Sequence, residues 1–227
     1  MLSLGNKLSL NSIKVLGGDW NPNLDSNLVA WYRKAEGIVL NGSDVSEWRD
    51  QSGNGNNMAQ TDAAQQPAYS AGVLTFDPAS KECLELSGDD IVLGGDFTIG
   101  IRFNVAATTG TLLADNTNIG EFLRFQASNK LRLKIDGTSP LDLTLNSGNF
   151  SGEQFLVLTR SSGTVNFWVD GVAQTSSGTK TGTAEIQAIG IKATDGAAYD
   201  GTMREIQIYS GTSADLTTNV NTWLAAL

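Results

Sequence analysis

An all-β fold, an antiparallel β-sandwich with a short helix at its C-terminus, is what this sequence predicts, and three observations predict it. Gly, Ser, Thr and Asn together fill 84 of the 227 positions, while only 17% of residues are charged. Turn-rich, hydroxyl-rich composition of this kind suits many short strands and argues against helical bundles and coiled coils. From residue 73 onward, apolar and polar residues alternate in short runs separated by turn residues, as half-buried strands in a sandwich or barrel do. The final segment then abandons that period for a helical one. A hydrophobic content of 40% is too high for disorder, and a chain of 227 residues is long enough to bury a substantial core.

Residues 1–24 stand apart from the rest. Leu2, Leu4, Leu8, Leu10, Ile13 and Val15 follow an alternating pattern that Gly5, Gly17 and Gly18 interrupt. Such a pattern reads as extended chain, and two readings stay open: an ordinary strand of the sandwich, or an arm that docks on a neighbouring subunit. The chain therefore divides into an N-terminal arm, 1–24, for anchoring or oligomerisation, and a sandwich domain, 25–227.

Strands are predicted near Val73–Asp77, Glu82–Ser87, Phe97–Asn104, Thr111–Asp115, Glu121–Ala127, Lys130–Asp136, Leu141–Leu145, Gln154–Arg160, Thr164–Val169, Ala184–Lys192 and Thr202–Tyr209. In Phe122-Leu123-Arg124-Phe125 and Leu131-Arg132-Leu133-Lys134-Ile135 one face is apolar and the other charged, as an antiparallel sheet with one wet face requires. Ser128-Asn129 joins those two runs as a tight hairpin. Asp170-Gly171 is a two-residue turn, because both residues tolerate positive φ. Leu216, Val220, Trp223, Leu224 and Leu227 share one helical face. Ser213 supplies an N-cap and Asp215 a first-turn acid, so a terminal helix is predicted with Trp223 as its main buried anchor.

Several function classes are excluded by what is missing. There is no histidine, which removes Ser-His-Asp and Cys-His catalysis and imidazole metal sites. One cysteine, Cys83, allows neither an internal disulfide nor a thiolate zinc cluster, and it reads as a buried strand residue rather than a nucleophile. The formal charge of −9 with scattered basic residues counts against nucleic acid. No apolar run approaches the roughly 20 residues of a membrane span, and Met1 to Lys7 do not open a secretory signal.

Three motifs in order resemble the concanavalin A-like lectin/glucanase superfamily, and within it the laminin G-like modules of bacterial and phage proteins. Leu28-Val29-Ala30-Trp31-Tyr32, followed by Trp48-Arg49-Asp50-Gln51-Ser52-Gly53-Asn54-Gly55-Asn56-Asn57, resembles the opening strand and its W-x-D-x-S-G-x-G-x-N loop. Arg160-Ser161-Ser162-Gly163-Thr164-Val165-Asn166-Phe167-Trp168-Val169-Asp170-Gly171 resembles the family hairpin. Tyr199-Asp200-Gly201 through Ile206-Gln207-Ile208-Tyr209, with the terminal helix, resembles the closing element. Thr75-Phe76-Asp77 with Leu84-Glu85-Leu86 fits a further step, although Pro78 stands where the family usually has glycine. The resemblance implies a concanavalin A-like jelly roll over residues 28–227.

In this sequence the motifs also have a mechanical reading. Asp50 and Ser52 can satisfy backbone amides, Gly53 and Gly55 allow left-handed turns, and Trp31, Trp48 and Trp168 read as core. The functional reading of the same loop makes Trp48, Asp50, Asn54, Asn56 and Asn57 a ligand-binding set. Its oxygens would suit Ca²⁺, but no metal-binding spacing is present and no cofactor is expected. The β-glucanases of the superfamily carry E-x-D-x-x-E on one strand face; Glu82-Cys83-Leu84-Glu85 has the wrong parity, so an enzyme is not expected. The expectation is a phage virion protein (a capsid decoration, head fibre or tail-associated subunit), made in the host cytoplasm. It would homo-oligomerise, join other virion proteins through the arm, and contact host-surface glycans but neither nucleic acid nor membrane. The competing readings are a carbohydrate-binding adhesin module and a β-glucan hydrolase.

Overall fold

A computed structural model describes residues 20–115, 122–136, 139–191 and 197–227. Strands β1 (Leu28–Tyr32), β2 (Ile38–Asn41), β3 (Asp44–Trp48), β4 (Met58–Ala59), β5 (Ala68–Ser70), β6 (Val73–Phe76) and β7 (Leu84–Leu86) form the first part. They are followed by β8 (Ile91–Leu93), β9 (Phe97–Val105), β10 (Gly110–Ala114), β11 (Leu123–Ala127), β12 (Lys130–Leu133) and β13 (Leu141–Thr144). The last part holds β14 (Gly152–Ser161), β15 (Thr164–Val169), β16 (Val172–Ala173), β17 (Gly178–Thr179), β18 (Ala184–Ile186), β19 (Ala188–Ile189), β20 (Gly201–Tyr209) and the helix α1 (Ala214–Ala225).

Antiparallel pairing arranges these strands in two layers. In the first, β20 lies beside β1 and β6 on one edge and β9 on the other, and β9 leads to β14 and β15. The second runs β2, β3, β4, β7, β19, β10, β11, β12 and β13. Strand β5 pairs with both β3 and β6 and so joins the layers. Alternation delivers one face of each layer to a shared core. Ile99, Ile101 and Phe103 of β9, Leu156 and Leu158 of β14 and Phe167 of β15 meet Leu123, Phe125, Leu131, Leu133 and Leu143 of the second layer.

The turns behave as their chemistry demands. Asp170 and Gly171 take φ of 50° and 77°, and Ser162 and Gly163 take 48° and 81°, which are the left-handed pairs that match strand twist in two-residue hairpins. One predicted strand does not exist as a unit. The stretch expected over Ala184–Lys192 divides at Gln187, with Ala184–Ile186 pairing β8 and Ala188–Ile189 pairing β7 and β10. Continuous apolar character marks the segment as buried but cannot show that it changes partners. Lys192, Glu121 and the arm up to residue 19 lie outside the described residues.

The outer face of the first layer is covered by α1. Ser213 caps it, accepting from the Leu216 amide at 3.0 Å. Leu216, Val220 and Leu224 are buried against Phe155, Val157, Trp31 and Tyr209. Trp223, expected to be the main anchor, is instead half-buried on the flank of the stripe; Val220 and Leu224 are the fully buried contacts. The close approach requires Gly100 on β9, where a Cβ would lie 2.6 Å from Val220 Cγ1 and 3.0 Å from Leu224 Cδ1. Gly100→Ala should therefore cost about 1–3 kcal/mol through overpacking. Thermal melting checks it, and an unchanged melting temperature would mean that the helix sits more loosely than described.

Candidate functional site

The loop after β3 is held by its own polar groups. The Asp50 carboxylate accepts from the amides of Trp31 (2.9 Å), Ser52 (2.8 Å) and Asn56 (3.1 Å), and from the Ser52 hydroxyl (2.7 Å). Asn57 Oδ1 accepts from the Asp50 amide, while Asn54 and Asn56 donate to the Val29 carbonyl. The structure thus brings Asp50, Asn54, Asn56 and Asn57 together, with these groups joining the loop to itself and to β1. Trp48 lies on the other side, in the core, with no exposed surface and its indole donating to the Arg33 carbonyl at 3.2 Å. Tyr32 packs beside it and donates to the Asn56 carbonyl at 2.6 Å; burial, with Asp50 nearby, raises its pKa and keeps that donor protonated.

A second polar assembly lies beneath one flank of α1. On β20 a register shift between Met203 and Glu205 lets Met203, Ile206 and Ile208 all face the core, and alternation beyond it turns Glu205, Gln207 and Tyr209 toward the helix. Glu205 Oε1 accepts from the indoles of Trp31 (2.9 Å) and Trp223 (2.5 Å) and from the Gln207 amide (2.8 Å), while Tyr209 donates to Gln207 Oε1 at 2.8 Å. Trp20 and Trp31 both meet Trp223 edge-on, at 6.2 and 5.7 Å. The last residues of the expected arm are therefore packed on the sandwich.

The opposite flank of α1 faces β15 across a groove of about 550 Å³. Ser161 and Trp168 line its sheet side, and Thr217, Thr218, Asn221 and Thr222 line its helix side. Trp168 is expected in the core, yet Val165, Phe167 and Val169 take the inward positions and leave it half-buried on the outer face. The same period-two parity that predicts the strand is the signal that places it there. Among the described residues, no charged one lines this groove.

The outer face of the second layer is charged, as the alternation in β11 and β12 implies. Asp142 on β13 sits opposite Arg132 and bonds its guanidinium at 2.8 Å. That hydrogen bond, with the Lys130 charge adding to it, holds the Asp142 carboxyl below its ordinary pKa. A depressed carboxyl stabilises the fold above its unfolded pKa and loses that effect as pH falls through its folded pKa. Asp142→Asn should lower stability by less than about 1 kcal/mol at neutral pH. The deficit should close below a pH of about 4, and melting curves at pH 7 and pH 3 test this; equal deficits at both would refute it.

The family model of the concanavalin A-like lectin/glucanases superfamily matches residues 80–215, from the edge of β7 to the first turn of α1. The chain belongs to that superfamily. As a lectin/glucanase-type sandwich it shares its fold with solved glycosidases. Trypanosoma rangeli sialidase matches with a TM-score of 0.59 at 13% identity, over 89% of this chain and 33% of the sialidase. An arabinofuranosidase complexed with arabinofuranosyl-α-1,2-xylobiose matches with a TM-score of 0.53 at 16% identity, over 81% of this chain and 51% of its own. This chain thus spans about a third of the sialidase and half of the arabinofuranosidase. No curated protein sequence matches it.

These matches correct one expectation. The absence of an E-x-D-x-x-E strand argues against an enzyme, but solved structures sharing this fold include a sialidase and an arabinofuranosidase. A carboxylate run on one strand is the mark of one glucanase type, and acids drawn from separate strands or loops leave no such run. Among the described residues no helix is long and apolar enough to cross a membrane.

Proposed function

We propose that this chain is a carbohydrate-recognising sandwich carried as a structural component of a phage virion. The observation that carries the carbohydrate reading is an indole- and hydroxyl-lined groove, with no charged residue among the described ones lining it, on a member of the lectin/glucanases superfamily. Pockets that fix a small polar ligand combine an apolar surface with a few placed hydrogen-bonding groups, and this groove has both. The glycosidases among the fold neighbours, one with a bound arabinofuranosyl-xylobiose, agree with a sugar ligand. The virion setting is supported by the order of the motifs, which resembles phage and bacterial modules, and in this reading residues 1–24 join the sandwich to neighbouring virion proteins or sister subunits.

The test is a glycan array probed with the full chain, followed by product analysis on every glycan that binds. Retention on at least one glycan class is expected, and silence across the array would refute the carbohydrate reading. Mass spectrometry of purified phage particles tests the setting; absence of the chain from its particle would refute that part.

A further inference from the structure

We propose that the groove between α1 and β15 is the sugar site and that it selects neutral, hydroxyl-rich glycans over acidic ones. This rests on the carbohydrate reading above and goes further by naming the site and the ligand's charge. Along the helix turns that line the groove, three threonine hydroxyls have already committed their protons. Thr217, Thr218 and Thr222 donate their hydroxyl protons to the carbonyls of Ser213, Ala214 and Thr218, at 2.8, 2.9 and 2.8 Å. Asn221 spends its amide nitrogen on the Thr217 carbonyl at 2.8 Å, and its Oδ1 is buried with no partner. A threonine hydroxyl whose proton is committed can only accept, and so can an amide oxygen.

Thr217, Thr218 and Thr222 therefore present acceptors, while the Ser213 hydroxyl at the start of the helix accepts from the Leu216 amide and keeps its proton to donate, so a complementary ligand must bring both donors and acceptors. Sugar hydroxyls do so. Carboxylate, sulfate and phosphate groups bring acceptors alone. Among the described residues the groove has no lysine or arginine to receive them, and a net charge of −9 repels polyanions at longer range. The opposite wall is the half-buried indole of Trp168, an amphipathic platform on which the C–H face of a pyranose can lie. A buried Asn221 Oδ1 without a partner costs free energy that a ligand hydroxyl would recover.

The experiment is calorimetric titration of the full chain with xylohexaose, cellohexaose and mannohexaose, and in parallel with a galacturonate hexamer, a sialic acid hexamer and a glucosamine hexamer. At least one neutral oligomer should bind, with the two acidic ones binding at least tenfold more weakly. Trp168→Ala should weaken binding more than tenfold and Trp168→Phe less; Asn221→Ala should weaken it about tenfold, one hydrogen bond's worth. Circular dichroism and melting curves establish that the variants are folded. Equal or tighter binding of an acidic oligomer would overturn the selectivity, as would failure of the glucosamine oligomer, whose ammonium groups bring donors, to bind better than the acidic ones. Neutral binding that survives both Trp168 substitutions would overturn the site while leaving the carbohydrate reading intact. Silence toward every glycan would overturn both.

Discussion

A Trp48→Ala variant should lose about 3–5 kcal/mol of stability, the usual cost of emptying the space of a fully buried indole. Trp48 has no exposed surface, packs at 5.6 Å from Tyr32, and faces Val45 and Met58 in the main core. For a chain of this length each kcal/mol corresponds to roughly 2–4 °C in melting temperature, so the effect lies well above experimental error. Trp48→Phe should lose markedly less and leave glycan binding unchanged. If Trp48→Ala melted within a degree or two of the parent, or if Trp48→Phe abolished glycan binding, the indole would have to be at the surface and the mechanical reading of the loop would fail.

Glu205→Ala is the second change with a large expected effect. Removing its carboxylate strands the Trp31 indole and the Gln207 amide beneath α1 and takes an acceptor from Trp223. At about 1–3 kcal/mol for each buried donor left unpaired, the fold should lose about 2–6 kcal/mol. Because α1 lies over this assembly, the loss should come with altered near-ultraviolet circular dichroism from Trp31 and Trp223. Trp223→Phe removes one donor at a half-buried position and should cost less than Glu205→Ala. The reverse ranking in urea titrations would show that the tryptophan packing, rather than the carboxylate, fastens the helix.

How much of this is legible in the sequence depends on which face of a strand is asked about. Inward faces are plain: Leu131 and Leu133, or Phe167 and Val169, announce themselves by alternation, and the Asp170-Gly171 turn by its tolerance of positive φ. The helix is visible from Leu216, Val220 and Leu224. Outward faces are not, because alternation says that a residue points away from the core without saying what covers it. An acid at an outward strand position carries no mark of burial, and Glu205 is fully buried under α1. Trp168 reads as core by its size and lines a groove instead, because its neighbours Phe167 and Val169 already fill the inward positions. The Asp50 to Asn57 loop is legible only in its local part: the bond from the Ser52 amide to Asp50 needs no tertiary partner, whereas the bonds to Trp31 and Val29 that tie the loop to β1 leave no mark in the sequence. The split at Gln187 is illegible because a buried segment shows the same apolar residues whichever layer it joins.

The most direct test of the sugar site is a map of where a glycan touches the chain. In ¹H–¹⁵N correlation spectra, a neutral oligosaccharide found on the array should shift the Trp168 indole signal, the Asn221 side-chain amide and the backbone amides from Thr217 to Thr222, while the amides of Asp50 to Asn57 stay in place. Shifts confined to the Asp50–Asn57 loop, or none with any glycan tested, would contradict it.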